Sequence, residues 1–188
     1  MVANPRPQIF TVDEFEQFIT LPENRDRHFE LIEGEIVEKA MPTEEHGQIA
    51  GNLIFALKTY IAATHQGRVV IEVSAKDPND KRNVRQPDVS YYADASRPVT
   101  KKGATPQMPD LAIEIQSPDD TIKSLRDKAA YYLSKHVRMV WLIFPAKRIV
   151  EIYTPDEQEV LTGDESRTDL ALLPGFALKT SDVFAGLD

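Results

Sequence analysis

The segment Leu111-Ala112-Ile113-Glu114-Ile115 sets the strongest limit on how this chain can fold. Side chains alternate along a strand, so Leu111, Ile113 and Ile115 share one face while Ala112, Glu114 and Gln116 share the other. A carboxylate inside so apolar a run has to be paired, hydrogen-bonded, metal-bound or edge-exposed, because an unpaired buried charge is very costly. Ser117-Pro118-Asp119-Asp120 stops the strand and offers caps for a helix. The apolar positions Ile122, Leu125, Ala129, Tyr132 and Leu133 then follow helical spacing. Lys128 lies at the border of that stripe, where its ammonium can lean back toward the sheet. Upstream, Pro87-Asp88 ends or enters another strand. One αβββαβ core would bring together a strand Asp, a strand Glu and a helix Lys.

The flanking sequence supplies the other elements. Thr11-Val12-Asp13-Glu14 is a capping-box pattern and opens a short helix through about Thr20, ended by Pro22. Phe29 to Val37 reads as a β-hairpin with Glu33-Gly34 at its turn. Thr43 is the expected N-cap of the longest helix, with Glu44 and Glu45 favourably placed against its dipole. Ile49, Leu53, Ala56, Leu57, Tyr60 and Ile61 form the buried stripe, and His46 continues that line at the helix N-terminus, facing the sheet. Gly67 breaks the helix before a strand at Arg68 to Val73. Met139 to Phe144 is almost wholly apolar, as a central strand covered on both faces should be, and Arg148 to Tyr153 pairs with it as a hairpin. Beyond it, the run from Leu170 to Phe184 reads as a short strand, a turn and a closing helical turn. The expectation is one α/β (α+β mixed-sheet) domain over 1–188, with its core at about 43–153 and an N-terminal hairpin extension.

Composition narrows the chemistry. With no cysteine among 188 residues, thiol nucleophiles, zinc–cysteine sites and disulfides are excluded together. No Gly-x-Ser-x-Gly elbow is present either, which leaves an acyl-transfer hydrolase poorly supported. The N-terminus is too polar for a signal peptide and no apolar run approaches membrane-spanning length, so no membrane partner and a cytoplasmic location are the default expectations. The net charge of -8 argues against a general nucleic-acid coat protein. Yet between Lys76 and Lys102 seven basic residues face four acidic ones, in loops on either side of Asp88. That excess reads either as a solvated rim or as a phosphate-binding one.

Hydrolysis of a phosphodiester needs carboxylates to hold a hard divalent cation, and a base or cation to position water and offset developing charge. Asp88 and Glu114 can supply the first and Lys128 the second. Each also has a plain structural reading: Asp88 as a turn cap, Glu114 as the partner of an arginine, Lys128 as a snorkelling surface lysine.

Pro87-Asp88 followed by Glu114-Ile115-Gln116 resembles a PD-(D/E)XK nuclease core, the restriction-endonuclease-like fold. Phe29 to Glu35, His46, Arg85 to Val89, Pro109 to Pro118, Lys128 with Tyr132, and Trp141-Leu142 together resemble the Uma-two family of restriction-like endonucleases, over about Thr11 to Phe184. The resemblance implies an αβββαβ core and Mg²⁺-dependent (or Mn²⁺-dependent) cleavage of DNA, with Asp88 and Glu114 as metal ligands. Gln116 stands where the superfamily motif places lysine; it can orient a water or a phosphate oxygen but carries no charge. Lys128, on the following helix, is the expected replacement. His46 is read either as a satisfied structural histidine or as an extra ligand or water-positioning group. Glu30 either supports the site or solvates the hairpin. Tyr91, Tyr92, Tyr131 and Tyr132 are base-stacking candidates whose commoner role is core. The alternative function is a catalytically weak or inactive nuclease-fold module for nucleic-acid binding or protein assembly. Edge strands and the apolar C-terminal segment leave a homodimer open, which would suit a duplex substrate.

Overall fold

The computed structural model describes residues 8–168 and 170–187; the polar N-terminal stretch read against a signal peptide lies outside them. Its contacts fall into two compact units. The smaller is drawn from Met1–Ala40, Ser74–Gln86 and Thr100–Gln107, the larger from Met41–Val73, Pro87–Val99 and Met108–Asp188.

In the smaller unit, helix α1 (Val12–Phe18) starts at the expected capping box, with Thr11 and Glu14 bonding each other reciprocally. Strands β1 (Phe29–Ile32) and β2 (Glu35–Glu38) form the expected antiparallel hairpin. Glu33 and Gly34 both have positive φ, 51° and 88°, the geometry of the mirror-image turn that matches strand twist. The segments expected to be polar loops bridge back onto this unit: Leu31 pairs with Val84, and Ala75 with both Arg85 and Thr105. Phe15, Phe29, Leu31, Val84 and Ala104 are its apolar centre.

The larger unit is a six-stranded mixed sheet in the order β3 (Arg68–Ile71), β4 (Val89–Tyr92), β5 (Leu111–Ile115), β6 (Met139–Phe144), β7 (Ile149–Tyr153), β8 (Gln158–Thr162). Helix α2 (Glu44–Thr64) precedes β3, and α3 (Ile122–Ser134) connects β5 to β6, the one parallel pair of this sheet. The run α2-β3-β4-β5-α3-β6 is the expected αβββαβ order. Two short strands, β9 (Ser166–Arg167) and β10 (Leu178–Lys179), pair with each other ahead of the closing turn α4 (Thr180–Val183).

Pleating divides the sheet as the alternation demands. Leu111, Ile113 and Ile115 join Val89, Tyr91 and Trp141 in a cluster with Ile49, Leu53 and Leu57 of α2. The opposite face receives α3 through buried Leu125, Ala129 and Tyr132. Two details differ from expectation. Helix α2 ends at Thr64 because His65 turns left-handed, with φ of 56°; Gly67 serves instead where the chain passes Tyr91, since a Cβ there would lie 2.3 Å from its ring. Helix α3 is capped by Thr121, whose hydroxyl accepts from Ser124 N at 3.0 Å, while Asp120 turns back to accept from Ser117 N. No helix among the described residues is long and apolar enough to cross a membrane.

Candidate active site

Helix α2 delivers its histidine to the strand aspartate. The Thr43 hydroxyl caps the backbone N–H of His46, which leaves the imidazole to point inward from the first turn. There His46 Nε2 stands 3.1 Å from Asp88 Oδ2, with both residues buried. Donation into a carboxylate requires the proton on Nε2. The same Oδ2 accepts the backbone N–H of Ile115 at 2.8 Å, so Asp88 closes the end of the β4–β5 ladder with its side chain. In that ladder Val89 faces Ile113 and Ser90 faces Ala112; one further step sets Asp88 opposite Glu114.

Glu114 is 2% exposed in the middle of the sheet and is satisfied from α3. Lys128 Nζ donates to Oε2 at 2.8 Å, and the Tyr132 hydroxyl to Oε1 at 2.6 Å. Lys128 and Tyr132 are four residues apart and therefore share a helix face. The buried carboxylate thus has a compact cation on one oxygen and a neutral donor on the other. Asp88, Glu114 and Lys128, expected together, all lie within the larger unit, and His46 lies beside Asp88.

Gln116 and Glu30 take other places. The Gln116 side-chain amide donates to the carbonyl of Asp120 at 3.0 Å, tying down the β5–α3 loop. Glu30 belongs to the smaller unit; it is buried, accepts the backbone N–H of Gln86 at 2.8 Å, and lies 3.9 Å from Arg85 NH1. Burial excludes the reading in which it solvates the hairpin. Of the basic rim, Lys76 is paired with Glu16 at 2.6 Å and Arg85 is buried, so part of the charge excess is structural. Tyr91, Tyr92 and Tyr132 are buried, which removes them as base-stacking surfaces.

A second buried carboxylate went unanticipated. Glu151 on β7 sits across Leu142 from Glu114 in the register of β5, β6 and β7. Arg126 grips both of its oxygens and the Tyr153 hydroxyl donates at 2.6 Å. Burial pushes the Glu151 carboxyl up, but the bonds from Arg126 and Tyr153 outweigh it and hold the group below its ordinary value. Burial, and then Glu151 itself, push Tyr153 up to about 12. The sequence signal was there: Glu151 sits in an apolar strand like Glu114, and Arg126 falls two residues from Lys128 on one helix.

No cluster of three or more His, Cys, Asp or Glu poised for a metal occurs among the described residues. The pair Asp88 and Glu114 nevertheless fits a hard cation in kind. Mg²⁺ is commonly bound by one or two carboxylates, with waters and substrate phosphate oxygens filling its remaining positions.

The fold and this site together define a nuclease-like α/β protein. The model of the Uma2 family, described as "Putative restriction endonuclease", matches residues 14–181, and the chain belongs to that family. Among solved structures it is similar to the crystal structure of a "putative nuclease belonging to DUF820" from Anabaena variabilis, with 27% identity and a TM-score of 0.78, covering 94% of this chain and 98% of that one. It also aligns, at 13% identity and a TM-score of 0.33, with 12% of a chain in a cryo-EM DrdV–DNA complex, covering 61% of its own length. Among proteins of curated function there is no significant match.

Proposed function

We propose that this protein is a divalent-metal-dependent endonuclease hydrolysing DNA phosphodiester bonds, with Asp88 and Glu114 as the Mg²⁺ or Mn²⁺ ligands. The observation that carries the reading is the 2.8 Å contact of Lys128 Nζ with Glu114 Oε2. It supplies, from the helix after the strand, the cation that Gln116 lacks. When bound, the metal would polarise the phosphoryl oxygens and lower the pKa of a coordinated water. Lys128 donates to Glu114 and places positive charge where charge develops on the phosphate. Tyr132 fixes the orientation of the same carboxylate, and His46 that of Asp88, both as positioning groups. Gln116 serves by holding the loop behind β5, and Glu30 by ordering the chain before Asp88. With this reading go a single nuclease domain, a DNA partner, a cytoplasmic setting and a two-fold assembly matched to a duplex.

One observation favours the second reading, a nuclease-fold binding or assembly module: both oxygens of Glu114 already carry hydrogen bonds. Nicking of supercoiled plasmid with Mg²⁺ or Mn²⁺ separates the two. We expect the wild type to cut, and Glu114→Ala and Lys128→Ala to lose at least about a hundredfold in rate. Equal cutting by wild type and Glu114→Ala would sink the site assignment. Folded wild type that cuts with neither metal would favour the module. Calorimetry adds an independent reading, because Asp88→Ala should lose Mn²⁺ binding.

A further inference from the structure

Two arginines and a tyrosine gather at the far end of strand β4, within the larger unit. Arg68 and Tyr92 are direct partners in the β3–β4 ladder and so stand on one face. The Arg68 guanidinium lies 5.9 Å from the centroid of the Tyr92 ring, and the Arg97 guanidinium, from the loop after β4, lies 5.6 Å from the same centroid. Arg68 NH1 also donates to the Arg97 carbonyl at 3.2 Å, which holds the two segments together. Two like charges therefore converge on one buried aromatic ring.

Among the described residues, neither arginine forms an ion pair, and Arg97 NH1 is a buried nitrogen without a hydrogen-bond partner. The nearby acid is Asp94, whose Oδ1 is taken by the backbone N–H and hydroxyl of Ser96 at 2.9 and 2.6 Å. Those bonds first, and the field of Arg97 and Arg68 after them, hold its carboxyl below the ordinary value. A charged N–H donor buried without an acceptor is costly, and a guanidinium fork matches the oxygens of a phosphate.

We propose that Arg68 and Arg97, arrayed on Tyr92, form an anion site that takes a phosphate group of the nucleic-acid backbone. The assignment to nucleic acid rests on the nuclease reading above; the anion site does not. Tyr92 follows Asp88 by four residues on the same face of the sheet, about 13 Å along a strand. In a duplex whose strands rise about 3.4 Å per step, that distance is a few nucleotides from the scissile bond. The pair would then fix the register of the substrate without reading bases.

Two measurements on the intact protein test this. In the first, inorganic phosphate is titrated at constant ionic strength and the melting temperature is followed. The wild type should rise with phosphate, while Arg68→Gln/Arg97→Gln should not respond. Arg68→Lys/Arg97→Lys keeps both charges and loses the fork; it should respond weakly, which keeps the test readable if the Gln protein folds poorly. Wild-type-sized shifts in the Lys protein and in a folded Gln protein would overturn the site. In the second, a fluorescein-labelled DNA duplex is bound in EDTA over a range of salt. The dependence of log K on log salt should fall by roughly one unit in the Gln variant. A phosphate response confined to the wild type, with duplex binding unchanged in the variant, would uphold the anion site and overturn its assignment to nucleic acid.

Discussion

Glu114 and Glu151 are buried carboxylates on one face of one sheet, separated in register only by Leu142. Each receives a tyrosine hydroxyl at 2.6 Å and a cation from α3. The cations differ, and that difference separates a pin from a working group. Arg126 is a planar fork that holds both oxygens of Glu151, and it stays half exposed while doing so. Lys128 is a compact charge on a flexible stem whose ammonium donates to Oε2 of Glu114, and it is itself largely buried. The tyrosines differ as well: Tyr153 comes from the strand of its own glutamate, whereas Tyr132 rides on the helix with Lys128. The Glu151 cluster locks helix to sheet, and the Glu114 cluster leaves a carboxylate that a metal and a phosphate can share on the proposed reading.

The sharpest way to break that contrast is to give Glu114 the other cation. Lys128→Arg should melt at or above the wild-type temperature yet lose about 10- to 100-fold in metal affinity, measured by calorimetry. Unchanged affinity would mean that the choice of lysine over arginine is irrelevant. Arg126→Ala should do the reverse, lowering stability in urea by about 2 kcal/mol because the buried Glu151 loses a charged partner, with little change in metal binding. A variant as stable as wild type would show that the fork is ornamental. The smallest effect is in pH. Because the folded-state pKa of Glu151 lies below its ordinary 4.5, its contribution is present above that value and fades as pH falls through the lower folded-state one. Glu151→Gln should therefore flatten part of the acid limb of the stability curve, read from melting temperatures across that range; an identical limb would remove Glu151 from the linkage.

Which parts of this were legible in the sequence follows from the range of the forces involved. The strand around Glu114, the helix N-caps at Thr11 and Thr43, and the Lys128 face are set by periods of two and 3.6 and by caps one turn long, so local sequence carries them. The inward direction of His46 followed from a stripe that ran to the helix start, but its partner Asp88 did not. What stayed hidden depended on distant partners. Val84, Ala75 and Thr105 lie in polar stretches of sequence, and their bridges form only where a separate unit gathers them. Strand β8 lacked a clean alternation: it is an edge strand paired to β7, and only Leu161 of its five residues is buried. The Arg126–Glu151 pair required the register of three strands, and Arg68 over Tyr92 required the β3–β4 register. The bond from the Gln116 side-chain amide was hidden for a like reason: its backbone position was readable, but the carbonyl of Asp120 that accepts it was not.

The parallel pairing of β5 with β6 has a consequence in time. Strands β6, β7 and β8 are joined by short turns and can form early, whereas β5 can meet β6 only after the crossover through α3 has closed. Lys128 and Tyr132 travel on that crossover. Any folding intermediate that has the meander but not the crossover leaves Glu114 without its two donors from α3, so the step that completes the sheet is also the step that assembles the cluster.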